Sequence, residues 1–302
     1  MRLCVWVIAD GKAGHENQSL GLVQALESQC DVDRHVLPSL SLASCVLHYL
    51  ASRFPDSREL PHPDLIIGAG HGTHATMLTA RHARGGRCVT LMKPSLPIGW
   101  FDYCICPQHD EVVDSDRVLR SRGVLNRIRA GEKDPSLGLI LIGGPSRHHD
   151  WNNNAVIAQL KAVINANPDM QWSLTTSRRT PHGFLSLLRE QHSQRLTIFP
   201  VDNTHADWLP QVLESASQVW VSEDSVSMVY EALSSGAGVG VFSVPRKDQG
   251  RITRGLDALI DDQLVRSYSQ WQTSRQLNPP AEAFNEAERA ARWLLQQCPN
   301  TR

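Results

Sequence analysis

The sequence predicts an α/β protein built from two Rossmann-like, doubly wound domains facing a cleft. Three observations predict it. The chain has 302 residues, and at about 150 residues per domain that length suits two. Each half repeats one rhythm: a short apolar, β-branched run, a Gly-containing loop, then residues at helical spacing. That rhythm marks βαβ units feeding a parallel sheet. Between the halves, around Asp110 to Pro135, charge rises and periodicity fades, so the link between domains is placed there.

Element by element, Leu3 to Ala9 reads as a buried strand, Asp10 to Asn17 as a polar loop, and Leu20 to Leu26 as a helix. Asp64 to Gly68 is a second buried strand. It runs through Ala69-Gly70-His71-Gly72 into a helix from about Thr73 to Arg84. Cys88 to Met92 and Tyr103 to Cys106 are further strands. The second series opens with Gly138 to Ile142 as strand, Gly143-Gly144 as loop and Asn154 to Asn165 as helix. Strands at Trp172 to Thr175, Leu196 to Phe199 and Gln218 to Val221 follow, then a helix from about Ser225 to Ser235 and a strand at Gly238 to Phe242. Ala281 to Gln297 reads as a helix with acids early and arginines late, which suits the helix dipole. The expected domains are 1–130, 131–280, and a C-terminal helix, 281–302, folding back on the first domain.

Composition narrows the function classes. Hydrophobic residues make up 41% and charged residues 20%, the balance of a folded globular chain. Thirty Lys and Arg against 31 Asp and Glu leave a net charge of -1. That argues against nucleic acid as partner, since such proteins carry a basic excess. No run approaches the roughly 18 apolar residues of a bilayer span, and Leu3 to Ala9 is short for a signal peptide. The seven cysteines are odd in number and contain no Cys-x-x-Cys pair, which predicts free thiols in a reducing, cytoplasmic setting. Asp31-Val32-Asp33, Asp114-Ser115-Asp116 and His148-His149-Asp150 are weak metal signals. There is no His-Glu-x-x-His pair, so no metal is expected.

Ligands of open parallel sheets bind at the carboxyl ends of strands, and helix N-termini there attract phosphate. The loops in that position nominate the site. In the first domain they are Gly11, Lys12, Gly14 and His15 after the first strand, then Gly70 and His71 after the second. An imidazole titrates near neutrality, so His15 is the candidate base for deprotonating an acceptor hydroxyl. In the second domain they are Gly143 and Gly144, then Ser177, Arg178 and Arg179, whose guanidinium groups suit phosphate. Ser222, Glu223, Asp224, Ser225 and Ser227 crowd the start of the next helix. Ser222 or Asp224 can cap it, Ser225 and Ser227 can donate to a diphosphate, and Glu231 falls one to two turns in. Each feature has a plainer reading as a cap, a tight turn or a solvated face.

The segment VWVSEDSVSMVYEALSSGAGVGV, Val219 to Val241, resembles the donor-nucleotide motif of two-domain GT-B glycosyltransferases, including the lipid-linked peptidoglycan glucosaminyltransferases. That resemblance matches Glu231 to the carboxylate that holds the donor ribose, and Asp10 to Gln18 to a Gly-rich loop carrying a His. More specifically, ADGKAGHENQS, GAGHGTH, LIGGPSRHH, TTSRRTP and VSEDSVSMVYEA, in order across residues 9 to 231, resemble a family named after a plant mitochondrial-fission factor with many bacterial members. The resemblance implies a GT-B-like fold and a metal-independent glycosyltransferase that needs no cofactor and takes a nucleotide sugar as substrate. It also implies a protein partner, because the plant relative recruits a dynamin-like GTPase. The acceptor stays open between a lipid-linked molecule and a saccharide, and with it peripheral attachment to the inner membrane. A nucleotide-sugar epimerase or a non-catalytic interaction protein on the same fold are the competing readings. An NAD-dependent oxidoreductase is disfavoured, because no Gly-x-Gly-x-x-Gly follows the first strand.

Overall fold

The computed structural model describes residues 2–55, 57, 59–110, 112–190, 194–205, 207–248 and 250–298. It divides into two compact units, Met1–Arg127 with Glu286–Arg302, and Ile128–Asn285. The first unit runs β1 (Arg2–Ala9), α1 (Ala13–Glu27), β2 (Asp31–Pro38), α2 (Leu42–Leu50), β3 (Leu65–Ala69), α3 (His71–Arg84), β4 (Arg87–Leu91), β5 (Tyr103–Pro107) and β6 (Val118–Ser121). The second runs β7 (Asp134–Ile142), α4 (Asn153–Ala166), β8 (Gln171–Thr176), α5 (His182–Glu190), β9 (Leu196–Phe199), α6 (Trp208–Ser215), β10 (Ala216–Ser222), α7 (Val226–Ser234), β11 (Gly238–Phe242), α8 (Arg251–Asp261), β12 (Arg266–Ser267) and α9 (Tyr268–Ser274). The last helix, α10 (Glu286–Gln297), returns to the first unit and packs on α1.

Each unit holds one parallel sheet, ordered β2-β1-β3-β4-β5-β6 in the first and β12-β11-β10-β7-β8-β9 in the second. The side chains of β1 show why such strands read as unbroken apolar runs. Leu3, Val5 and Val7 pack with Leu22 and Leu26 of α1 and Ala290 and Leu294 of α10. Cys4, Trp6 and Ile8 pack with Met77 and Ala80 of α3 on the other face. Both faces are covered, so alternation disappears. In the second unit Ile140 and Ile142 of β7 join Trp172, Trp220 and Phe242 under α4 and α5.

Four expectations are corrected at this level. The loop expected at Asp10 to Asn17 ends at Lys12, and α1 already contains Gly14 and His15. The polar stretch from Asp110 to Pro135 is not all connection: Val118–Ser121 pairs in register with Cys104–Pro107 as an edge strand. The helix expected from Thr73 starts at His71. The helix expected from Ala281 starts at Glu286, where Glu286 and Glu288 occupy the positive first turn.

Both sheets are doubly wound, so each has a point where the chain reverses its direction of travel across the sheet. In the first this lies between β1 and β3, in the second between β7 and β10. Outside the carboxyl ends of such neighbouring strands, the flanking loops diverge and leave room for a ligand.

Candidate functional site

At the switch point of the first sheet, Asp10 follows the last residue of β1 and Gly70 the last residue of β3. Asp10 is the site residue that reading the sequence passed over. Its side chain is 5% exposed, and its Oδ2 accepts from Nδ1 of His15 at 2.8 Å. Its Oδ1 accepts from the Lys12 amide at 3.2 Å, while the exposed Lys12 ammonium stands 3.6 Å from Oδ2. Burial opposes the charge on Asp10. The hydrogen bonds from His15 and Lys12 and their positive charge outweigh it, and hold the carboxyl below its usual range.

Gly70 caps α3 at φ +79° and ψ 160°, a region essentially reserved for glycine. A β-carbon there would run into the His15 ring, at 2.6 Å from Nδ1. The imidazole is therefore seated on bare backbone, with a carboxylate fixing which ring nitrogen faces inward. With Nδ1–H anchored on Asp10, Nε2 is the basic nitrogen. An orienting carboxylate behind a histidine is the arrangement of a general base. His71 stands exposed in the first turn of α3, with no hydrogen bond to Asp10 or His15 among the described residues. Gly11 completes the turn out of β1.

The switch point of the second sheet gathers nearly every residue nominated there, but in different roles. Ser222 does not cap α7; its Oγ accepts from the Gly143 amide at 2.7 Å. Asp224 does not cap it either. Its Oδ2 accepts from the Gly144 amide at 3.0 Å and pairs with Arg179 at 2.8 Å. The Gly143 and Gly144 amides expected to face a phosphate are thus spent on α7's own lead-in loop. A β-carbon on Gly143 would strike the Asp224 carboxylate, so glycine is required by the close approach. Arg179 also donates to the carbonyls of Gly144 at 2.7 Å and Pro145 at 3.2 Å, which makes it a brace between two loops. Glu223 accepts from the Val244 amide at 2.9 Å and from Arg246 at 2.9 Å and 3.1 Å. Its expected ligand role gives way to a buried ion pair with a residue the sequence did not nominate.

What is left at this edge is a shorter set, within which Ser225 is itself buried. Ser225 is the N-cap of α7, with no side-chain cap bond among the described residues, and Ser227 is exposed on the first turn. Glu231 lies one turn further along, half-buried. Arg178 is exposed, while Ser177 holds its own turn by accepting from the Arg179 amide at 3.2 Å. Of the two guanidinium groups, Arg178 is the one without a partner among the described residues.

The weak metal signals are absorbed locally. Asp31 and Asp33 lie on the edge strand β2 beside Arg2, at 3.8 Å and 3.5 Å. His148 bonds Asp248 at 2.8 Å while His149 points into the interior.

Known proteins share this architecture. A protein solved as a candidate UDP-N-acetylglucosamine 2-epimerase of Listeria monocytogenes superposes with TM-score 0.63 at 12% identity, covering 100% of this chain and 98% of that one. The UDP-GlcNAc 2-epimerase of Neisseria meningitidis, bound to UDP-GlcNAc, gives 0.53 at 11% over the whole of both chains. The spinosyn forosaminyltransferase gives 0.50 at 14%, covering 97% and 95%. At such identities the likeness concerns the fold, which is GT-B-like. In sequence, an uncharacterized protein of Rickettsia prowazekii (strain Madrid E) is 23% identical across 88% of this chain and 90% of its own length. The model of the mitochondrial fission ELM1 family matches residues 13–298, and the chain belongs to that family.

Proposed function

We propose that this protein is a glycosyltransferase that moves a sugar from a nucleotide-sugar donor to an acceptor hydroxyl, with no metal or cofactor required. The observation that carries the reading is the Asp10–His15 pair, buried on one side, seated on Gly70, and placed at a sheet switch point. In the proposed step, Nε2 of His15 takes the proton of the acceptor hydroxyl. The hydroxyl oxygen forms a bond to the anomeric carbon, the bond from that carbon to the diphosphate oxygen breaks, and the diphosphate leaves with the electron pair. Asp10 keeps Nδ1 protonated and stabilises the imidazolium that forms.

The donor falls to the second unit. The open amides at the head of α7, the Ser227 hydroxyl and the exposed Arg178 suit a diphosphate, and Glu231 suits a ribose diol. A metal ion is not needed where dipoles and guanidinium groups meet the leaving charge.

A second reading, nucleotide-sugar epimerisation, is favoured by the epimerases that share the fold across the whole chain. It requires acid and base groups on either side of the sugar. Glu223 and Asp224, the two acids in the loop leading into α7, are each bound to an arginine instead, which weighs toward transfer. Incubation with a nucleotide sugar alone, followed by product analysis, separates the two: an epimeric product without acceptor establishes the second reading. The transferase reading expects His15→Asn to lower turnover by about 10²–10⁴-fold, with nucleotide-sugar affinity by calorimetry unchanged. Normal turnover in that variant would remove His15 as the base.

A further inference from the structure

Away from either switch point, α2 is an oddly dry helix. Of its nine residues, Leu42–Leu50, only Cys45 is buried. Leu42, Leu47 and Leu50 are 73%, 66% and 79% exposed, and Val46 and Tyr49 are about half exposed. Trp100, 51% exposed in a short turn after β4, continues the patch. Leu42, Val46, Tyr49, Leu50 and Trp100, together with α3, line an open groove of about 730 Å³, and Leu47 stands exposed on the same helix outside the groove lining. Scattered surface apolar residues are ordinary, but a contiguous patch with a helix lying open along it marks an interaction surface.

The charges around the groove identify the occupant. Neither α2 nor α3 contains an Asp or Glu, and none lines the groove. Arg53, just past the end of α2, is exposed and its side chain has no partner among the described residues. Arg81 lines the groove, half-paired with Asp102 at 3.1 Å. His82 stacks on Tyr49 with ring centroids 4.0 Å apart, and His48 and Arg84 border an adjoining hollow that also takes in Glu59. A second copy of this chain would set one acid-free, cationic face against another. A bilayer with anionic headgroups supplies both the apolar interior and the negative charge. Leucines on one helix face, Trp and Tyr at the margin and Arg close by are the signature of a segment lying in the membrane interface.

We infer that the α2–α3 face, centred on Leu47, Leu50 and Trp100 with Arg53 beside it, docks on an anionic phospholipid bilayer and holds the protein peripherally at the membrane surface. The inference stands apart from the sugar-transfer reading, because it uses none of the residues at either switch point. The test is co-sedimentation of the full chain with vesicles of phosphatidylcholine containing about 30% phosphatidylglycerol, set against pure phosphatidylcholine. The wild type should pellet with the anionic vesicles and release as salt rises toward about 0.5 M. Leu47→Glu with Leu50→Glu should weaken binding at least tenfold, and Arg53→Glu about tenfold on anionic vesicles. These side chains are exposed, so the thermal midpoint should hold; Trp100→Ser, with a smaller loss of binding, is the fallback if the double variant does not fold. A wild type that stays in the supernatant, or a double variant that binds as well as wild type, overturns the inference. So does a dimer, seen by light scattering, that the double variant abolishes without any vesicle binding.

Discussion

At the switch point of the first sheet a carboxylate faces an imidazole; at that of the second, two carboxylates each face a guanidinium. Asp10 and Asp224 are both almost fully buried, and both follow a strand by one or two residues. Their partners separate them. An imidazole can gain and lose a proton near neutrality, so the Asp10–His15 pair can move one. A guanidinium stays charged, so Asp224–Arg179 and Glu223–Arg246 can only hold position and field. The same topology thus carries a carboxylate–imidazole edge in one unit and a carboxylate–guanidinium edge in the other. The difference is made by one residue of each pair.

The sharpest way to break the comparison is to remove the buried acid from each pair. Asp224→Ala strips Arg179 of its partner and leaves the Gly144 amide unmet. Truncating one side of a buried pair costs about 3–5 kcal/mol, and the 40% exposure of the Arg179 side chain lowers that to about 2–3 kcal/mol. Asp10→Ala loses one hydrogen bond from an imidazole and one from a loop amide and strands no guanidinium, about 1–2 kcal/mol. Urea unfolding of the whole chain, followed by tryptophan fluorescence, should show the larger shift for Asp224. Equal shifts would mean that Asp224 braces no more than Asp10 does.

Much of this was legible in the sequence, for a physical reason. Strands covered on both faces are written as continuous apolar runs, so β1, β3, β7, β10 and β11 stand out, and the switch-point loops follow from them. Half-covered or charged elements did not stand out: β6 carries Leu119 and Arg120 half-exposed at a sheet edge, and α2 is apolar on faces a buried helix period would leave polar. The first turn of α1 was hidden by Gly14 and by polar side chains that pack into no core. Pairings across the fold were out of reach. Nothing in the spacing joins Arg179 to Asp224 or Arg246 to Glu223, so residues nominated as ligand contacts proved to be braces. Asp10 had a usable signal, an acid five residues before the candidate base at a strand end.

The seat under His15 sharpens the contrast from the other side. Gly70→Ala places a β-carbon against the imidazole and forces alanine to φ +79°, ψ 160°. The backbone penalty alone is about 1–3 kcal/mol. The ring must also leave Asp10, so the His15 imidazole resonances should shift and the proton-transfer capacity should fall with them. Stability loss with an unmoved His15 signal would show that Gly70 serves the turn and not the base.

The smallest effect lies in pH. Among the described residues, each unit also buries one histidine outside the pairs just compared. His74 sits between Ser95 and Thr90 at 3.3 Å and 3.4 Å, while Nε2 of His149 has no partner among the described residues. Burial pushes both below the usual imidazole range; for His149 it outweighs the opposing pull of Glu223 and Asp224. Both are therefore neutral in the fold and take up protons more readily when unfolded. Their contribution to stability is present above the unfolded value of about 6.5 and is lost as pH falls from there toward the depressed folded values. The slope is at most about 1.4 kcal/mol per pH unit for each group. Urea midpoints between pH 7.5 and 5.5 should fall for the wild type and fall less for His74→Gln and for His149→Gln. His149→Gln should be the costlier at pH 7.5, since its longer amide enters a site that offers Nε2 nothing to bond. A wild-type midpoint that stays level through this range would mean that His74 and His149 take up protons as readily in the fold as in the unfolded chain, so that burial does not hold them neutral.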